Sequence, residues 1–250
     1  MQPLEGTTII EFSSMITASL ATMIMADQGA RVVKVESVDM GDPMRYLGTS
    51  KGGISALFAN CNRGKSSIGL DLKQRAGQKI IKSMISTADV LIHNYRPGVM
   101  EQLDLGSESL RSENPRLIYT AISGFGPRGP LNNAPAYDPV VQAHVGFAAM
   151  QGIDGPEFIR NMVCDKITAY TACQAVTAAL LVREKTNEGQ HIDISMLDSG
   201  LFFLFPDGFM NHTLLDNDVE VRQHIADVMY NLTETRDGGI IISAATEQHI

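Results

Sequence analysis

The 250-residue sequence lacks the features that define several large protein classes. Its lysine and arginine residues number 20 against 28 acidic residues, and the resulting net charge of −8 argues against nucleic-acid binding. No uncharged run approaches the roughly 18 residues of a membrane span, so we expect no membrane partner. The first residues show no secretory signal. A hydrophobic content of 44% is ordinary for a soluble enzyme.

Cysteine is also scarce. Cys61, Cys164 and Cys173 lie in no metal-binding spacing, which predicts no zinc site and a reducing, cytoplasmic location. Cys164 stands beside Asp165 as a candidate nucleophile, but a reactive thiol needs a nearby cation. A buried, inert cysteine is the commoner outcome. His144 is likewise more typical of a packed histidine than of a catalytic one.

Most of the chain alternates between short apolar strands and amphipathic helices. Strands are predicted at 7–12, 31–36, 67–70, 89–93, 117–122 and 190–195, and helices at 18–28, 76–87 and 166–184. Gly29 is a natural residue to end the first helix. This alternation predicts an α/β fold with a Rossmann-like, doubly wound parallel sheet. Ligands of such sheets bind beyond the carboxyl ends of the strands, which here lead into 36–45, 94–98 and 123–130.

The pattern changes after about residue 200. We expect a large domain over 1–200, a linker over 201–225, and the start of a smaller α+β domain over 226–250. A β-meander is predicted over 230–245, with a turn at 237–239 and a strand at 240–245. The chain stops five residues after that strand, so we expect it to be a piece of a longer protein.

Asp165 is the single carboxylate in a weakly polar stretch that begins a predicted helix. An acid in the first turn meets free backbone N–H groups and the positive end of the helix dipole, and both favour the ionised form. A charged carboxylate in a poorly hydrated place can act as a nucleophile or a base. On local evidence alone, a simple capping role for Asp165 is the commoner alternative.

Two glycine-rich motifs resemble nucleotide sites but fail on context. The segment Gly124–Gly129 matches G-x-G-x-x-G, yet Pro127 and Pro130 make it a loop where a dinucleotide site needs a helix. We therefore expect neither NAD nor flavin. Gly64-Lys65-Ser66 imitates a P-loop ending, but Ala59 stands where the first glycine is required, and a strand follows.

A set of cations lies near the predicted strand ends. The segment Asn94–Gly98 adds an amide, an aromatic ring and a guanidinium, a combination suited to an adenine ring and phosphates. Scattered surface charge is the equally acceptable alternative. The cations of this set are Lys34, Arg45, Arg63, Lys65, Lys73 and Arg96.

Nine pieces of the sequence, in order over about residues 4 to 200, together resemble the family III CoA transferases, the CaiB/BaiF group, which includes the α-methylacyl-CoA racemases. Each piece is weak alone and the set is specific. The matching pieces are Gly29–Glu36, Gly41–Arg45, Asn62–Lys65, Leu70–Lys73, Asn94–Gly98, Ser123–Gly126, Pro135–Asp138, Asp165 and Gly189–Asp193.

The resemblance implies a large Rossmann-like domain, a linker and a smaller domain in an interlocked homodimer. It implies coenzyme A or acyl-CoA, together with a carboxylic acid, as substrates. Asp165 matches the family's catalytic aspartate, which forms a mixed anhydride and then an aspartyl-CoA thioester. The CoA-contacting positions that match are Leu70, Asp71, Leu72, Lys73, Asn94, Tyr95, Arg96 and Tyr137.

Position 137 separates two enzyme activities. Racemases of this family carry a histidine there, paired with the aspartate. Tyr137 favours a transferase instead, because a phenol is a poor base near neutrality. A racemase therefore remains the less favoured alternative.

Several family positions are altered. Thr17–Ser19 replaces a frequent Ala-Gly-Pro, and Ile16 replaces a glutamine of the oxalate-type enzymes, which argues against the formyl-CoA and oxalate pair. Ser37 and Gln102 replace two frequent CoA-contacting arginines, for which Lys65, Arg45 or Arg128 would have to substitute. A non-catalytic acyl-CoA-binding protein is thus a third alternative. The acyl donor and the acceptor are not identified by the sequence.

Overall fold

A computed structural model of the chain describes residues 1–152, 154–230 and 232–242. The described chain divides into two compact units, the first comprising 1–201 and the second beginning at Phe202. None of its described helices combines the length and the apolar character needed to cross a bilayer.

The first unit is built on a six-stranded parallel sheet with the order β5-β2-β1-β6-β7-β8, which confirms the predicted fold class. The six predicted strands are all present, each with ends within one residue of the prediction. In chain order the strands are β1 (Thr8–Phe12), β2 (Arg31–Glu36), β3 (Ser50–Lys51), β4 (Ile54–Ser55), β5 (Ser66–Gly69), β6 (Val90–His93), β7 (Ile118–Ser123), β8 (His191–Ser195), β9 (Leu232–Thr235) and β10 (Gly238–Ile241).

Helices connect the strands and cover the sheet. In chain order the described helices of both units are α1 (Thr17–Asp27), α2 (Ala56–Asn62), α3 (Arg75–Ile85), α4 (Val99–Gln102), α5 (Ser107–Glu113), α6 (Asp138–Val145), α7 (Phe147–Gln151), α8 (Val163–Thr186), α9 (Met196–Gly208) and α10 (Ile225–Met229), with a 3₁₀ turn at Pro43–Tyr46. Of these, α10 belongs to the second unit rather than to the sheet of the first. Helix α1 ends where expected, because Gly29 adopts φ +101°, a conformation that other residues rarely take.

Both faces of the sheet are buried, as its run of apolar strands requires. On one face, Ile9, Val90 and Ile92 pack against α1 and α8. The helices meet through small residues, including Ala21 of α1 and Ala172 of α8, both fully buried. On the other face, a second cluster that includes Ile81 and Ile85 of α3 packs against the sheet. This packing holds α8 against α1, so the beginning of α8 lies where Asp165 can reach the sheet's carboxyl edge.

In the second unit, β9 and β10 form an antiparallel hairpin. The predicted turn at 237–239 is wrong: Thr235 pairs with Gly238, and the two turn residues are Arg236 and Asp237. The Thr235 hydroxyl donates to the Asp237 carboxylate (3.2 Å) and to the Gly238 carbonyl (2.9 Å), which closes this shorter turn. The predicted strand at 240–245 and the third strand of a meander fall largely outside the described residues.

Candidate active site

A cleft of about 610 Å³ lies at the carboxyl ends of β1, β6 and β7. Its walls are the segments Ser14–Thr17, Asn94–Pro97, Ser123–Gly124 and Asn132–Pro139, with Val99, Ile122, Met162, Asp165 and Met196. The predicted loops after β6 and β7 thus contribute to the cleft, whereas the loop after β1, which also lines it, was not among the loops expected to do so. A Cβ built on Gly124 would lie 2.1 Å from the Ala136 Cβ, so a glycine is required for this close approach of the cleft-forming loop to β7.

The loop after β2 does not contribute to the cleft lining, contrary to expectation. Its charges are satisfied internally: Arg45 Nη2 lies 2.6 Å from Glu36 Oε1, and the Asp42 backbone N–H donates to Glu36 Oε2 at 2.8 Å. Burial alone would raise the pKa of Glu36, but these hydrogen bonds and that from Ser67 lower it to about 2.

Asn94 connects two strand ends. Its Nδ2 donates to the Ser14 carbonyl (2.7 Å) and to the Thr17 hydroxyl (2.9 Å), and its Oδ1 accepts from the Ser14 backbone N–H (3.0 Å). Both amide protons are therefore used within the protein, and the side chain holds the 14–17 wall of the cleft in place. Tyr95 beside it is half-buried and packs edge-on against Phe12.

Arg96 and Tyr137 are the open members of the predicted set. Arg96 is exposed on the cleft wall, and no residue in the described ranges pairs with its guanidinium. Tyr137 is 69% exposed and immediately precedes α6. A guanidinium and an aromatic ring of the cleft lining are thus free to meet a ligand.

Leu70–Lys73 lies at the end of β5, outside the cleft lining. Leu70 and Leu72 pack against the same apolar cluster as Tyr95, and the Asp71 carboxylate accepts the Lys73 backbone N–H. The structure therefore does not bring these four predicted contacts together with Asp165 in one cleft.

Most of the predicted cation set is engaged elsewhere. The register of β1 and β2 places Lys34 beside Glu11, and Lys34 Nζ lies 2.7 Å from Glu11 Oε1 in the core. Lys65 Nζ lies 2.8 Å from the other oxygen of Glu11. Arg63 pairs with Asp27 at the surface.

Burial and ion pairing change the pKa values of these groups. Burial alone would raise the pKa of Glu11, but the two ammonium groups lower it to about 2. Burial lowers the pKa of Lys65 to about 8. Neither Lys65 nor Arg45 is therefore available to replace the missing arginines, and Arg96 is the one cation of the set that lines the cleft.

Asp165 is the third residue of α8 and lines the cleft, in the helix turn predicted for it. Its charge state differs from the prediction. Burial, and then the nearby Asp138 carboxylate, raises the pKa of Asp165 to about 7. Within the described part of the chain no group donates a hydrogen bond to its carboxylate oxygens. The expected stabilisation by the helix end is therefore outweighed, because desolvation and a like charge oppose ionisation.

Asp138 and Gln142 belong to this site and were not predicted to do so. Asp138 Oδ2 accepts the Asp165 backbone N–H at 3.0 Å, and the Gln142 amide donates to Asp138 Oδ1. Asp138 was noted only as part of the family-like segment Pro135–Asp138. The signal was present, since an acid just before Pro139 is typical of a helix start.

The rival nucleophile is disfavoured. Cys164 is fully buried, and burial raises the pKa of its thiol to about 12, so the reactive thiolate is rare at neutral pH. His144 is exposed on α6, where its Nδ1 contacts the Val140 carbonyl and its ring packs edge-on against Phe125. No group of three or more metal-binding side chains is found among the residues that the structure describes.

Comparison with known proteins places the chain in a family. Residues 4–250 match the profile of CoA-transferase family III, and the chain belongs to this family. The acetyl-CoA:oxalate CoA-transferase of Acetobacter aceti is 40% identical over 205 residues, covering 81% of this chain and 53% of that protein. Human succinyl-CoA:glutarate CoA-transferase is 32% identical over 255 residues, covering 99% and 58%.

Solved structures agree with this assignment. A CaiB/BaiF family protein from Brucella suis superposes with a TM-score of 0.85 at 30% identity, covering 97% of this chain and 66% of that structure. The chain spans only between 53% and 58% of the length of these two curated relatives.

Proposed function

We propose that this chain carries the acyl-CoA-binding and catalytic part of an enzyme that transfers coenzyme A from an acyl-CoA to a carboxylic acid. The observation that carries the proposal is the Asp165 carboxylate, which faces a cleft at the sheet's carboxyl edge with no hydrogen bond from the described protein. Such a carboxylate is free to bond to a substrate carbon.

In the proposed reaction, a carboxylate oxygen of Asp165 attacks the thioester carbonyl of the donor. The new C–O bond gives a mixed anhydride, and the C–S bond breaks to release CoA thiolate. The thiolate attacks the Asp165 carbonyl, forming an aspartyl-CoA thioester and freeing the donor acid. The acceptor carboxylate then attacks this thioester, and thiolate leaves again. Attack of thiolate on the acceptor carbonyl yields the new acyl-CoA and restores Asp165.

We assign the binding roles from the cleft geometry. Arg96 would pair with a phosphate of the substrate, since its guanidinium is exposed and unpaired in the described chain. Tyr137 and Tyr95 would contact its aromatic or pantetheine portion. Asn94 would act indirectly by holding the 14–17 wall. Leu70–Lys73 lies outside the cleft lining, and its proposed contact with the substrate rests on the family resemblance alone.

The charge state of Asp165 limits the first step. Only the ionised carboxylate attacks, and with a pKa of about 7 roughly half of the molecules carry it at neutral pH. We therefore propose that transfer falls as the pH drops through 7. The buried Ile16, in the wall of the same cleft, offers no hydrogen-bonding group, which disfavours formyl-CoA and oxalate as the substrate pair.

The racemase alternative finds less support. It needs a second base on the opposite side of the α-carbon from Asp165. Tyr137 occupies the position where the resemblance places that base, and its phenol suits binding better than proton abstraction near neutrality.

The domain and assembly expectations belong to the same proposal: a large domain over 1–200, a linker over 201–225, the start of a small domain over 226–250, and a cytoplasmic interlocked homodimer.

The test is chemical trapping in the full-length protein. After incubation with a panel of acyl-CoA esters and hydroxylamine, mass spectrometry should find a hydroxamate on Asp165. Asp165→Ala should abolish both the hydroxamate and transfer while acyl-CoA still binds. Asp154→Asn, at an exposed position, is the matched control and should retain both.

Three results distinguish the alternatives. An active enzyme with unmodified Asp165 would contradict the covalent route. Deuterium uptake at the α-carbon without CoA exchange would indicate a racemase, and binding without either reaction would indicate a non-catalytic protein.

A further inference from the structure

The beginning of α8 is capped by a residue from another helix. Met162, at the N-cap position, offers no side-chain hydrogen bond. Asp138, the first residue of α6, supplies one instead, because its Oδ2 accepts the Asp165 backbone N–H at 3.0 Å. Asp138 is only 4% exposed, so its carboxylate accepts hydrogen bonds from the protein rather than from solvent.

Gln142 completes the arrangement one turn further along α6. Its Nε2 donates to Asp138 Oδ1 and to the carbonyls of Ile159 (3.1 Å) and Asn161 (3.0 Å), and its Oε1 accepts the Ile159 N–H at 3.1 Å. It is 1% exposed. The two side chains therefore tie the segment before α8, and the first turn of α8, to α6.

We propose that Asp138 is a positioning residue that holds the first turn of α8 from the neighbouring helix and controls both the placement and the charge of Asp165. This inference rests on the proposed function for its catalytic consequence. Its structural part, control of Asp165 by Asp138, does not depend on that function.

The surroundings leave Asp138 as the dominant charge near Asp165. Besides burial, Asp138 is the group that raises the pKa of Asp165. The other titratable groups facing it are the buried thiols of Cys61 and Cys164, whose own pKa values are raised chiefly by burial. The neighbouring Lys166 is engaged with Asn161. An acid at position 138 also occupies an N–H of the helix end that would otherwise favour the Asp165 anion.

A merely structural cap would act differently. It would hold the helix whether charged or neutral, and its loss would lower stability equally at every pH. Control of charge predicts a pH-dependent effect that requires Asp165. Asp138→Asn separates these roles, since an asparagine Oδ1 can still accept the Asp165 N–H without the negative charge. Its Nδ2 would face the Gln142 amide, which loses one acceptor and keeps the Ile159 and Asn161 carbonyls.

The first experiment measures urea unfolding from about pH 4 to pH 8 for the full-length protein, Asp138→Asn, Asp165→Asn and the double variant. At each pH, the free energy of unfolding of an Asp165→Asn protein is subtracted from that of its Asp165-containing counterpart, and the pH dependence of this difference gives the pH at which Asp165 ionises in the folded state. This pH should be about 1 to 2 units lower in Asp138→Asn than in the wild type. Asp154→Asn should leave it in place. An unchanged midpoint in Asp138→Asn overturns the proposal.

The second experiment measures Asp165 hydroxamate formation. Asp138→Ala should slow hydroxamate formation about 10-fold or more at saturating substrate. Asp138→Asn should retain most of the rate and should shift the acidic limb of the pH–rate profile to lower pH. Equal losses in both variants with no shift of the limb would also overturn the proposal. A shifted unfolding midpoint without any acyl transfer by the wild-type protein would contradict the proposed function while supporting control of Asp165 by Asp138.

Discussion

Replacing Asp165 by asparagine should stabilise the folded protein, and only above about pH 4. The folded-state pKa of Asp165 is about 7, against 3.8 for the free side chain. Between these values the folded state holds a proton that the unfolded state has released. The contribution of Asp165 to the free energy of unfolding is therefore greatest below pH 3.8, falls as the pH rises from 3.8 to about 7, and is constant above that. Asparagine never ionises, so the variant avoids the loss.

The size of the effect follows from the shift. About 3 pKa units correspond to at most about 4 kcal/mol, and partial exposure of the side chain halves this to about 2 kcal/mol. The assay is urea unfolding of wild type and variant near pH 4, 5.5 and 8. The two proteins should coincide near pH 4, and the variant should be more stable near pH 8 by about 2 to 4 kcal/mol.

The comparison must be a difference between variant and wild type, because His93 titrates with the opposite sign. Burial lowers the pKa of His93 to about 4, so its contribution is lost as the pH falls from 6.5 toward 4. In the wild-type protein the two effects largely cancel. An equal stabilisation by Asp165→Asn at all three pH values, or none near pH 8, would refute the reasoning.

Three further predictions concern the buried Glu11, the buried His93 and the exposed Arg96. Glu11→Gln should lower the free energy of unfolding at neutral pH by about 3 to 5 kcal/mol in urea titrations, since it leaves Lys34 and Lys65 short of a buried counter-charge; an unchanged midpoint would show that the network contributes nothing. His93→Gln should make the protein gain stability as the pH falls from 6.5 to 4, by up to about 3 kcal/mol relative to the wild type, because the Asp165 effect is then no longer cancelled; a curve that matches the wild type would contradict a buried neutral histidine. Arg96→Ala should weaken acyl-CoA binding about 10-fold in calorimetry, more at low salt than at high, without changing the thermal midpoint. The exposed Lys79→Ala is its control, and equal weakening in both would indicate a diffuse charge effect.

The strands and the main helices could be predicted because local patterns specify them. Arg31–Glu36 is a strand in the prediction and in the structure, and Gly29 ends α1 as expected. The first helical turn around Asp165 could also be located. The turn predicted at 237–239 lies one residue earlier in the structure. The glycine pair Gly238-Gly239 suits a turn, but here it begins β10, where Gly238 pairs with Thr235 of β9.

The partners of the charged side chains could not be predicted. Lys34, Lys65 and Arg45 looked available for a ligand, yet each meets a carboxylate brought in by strand register or by a returning loop. Asp138 was visible only as part of a motif, since its contact with Asp165 spans 27 residues.

The amino-acid sequence alone determined the parallel α/β architecture, the helix that carries Asp165 and two of the loops that form its cleft. These depend on hydrophobic periodicity and helix-end chemistry, which act over a few residues. Only the tertiary structure decided which cations remain free and whether Asp165 is charged. Ionisation depends on burial and on the nearest charge, and Asp138 comes close to Asp165 only when α6 packs against α8.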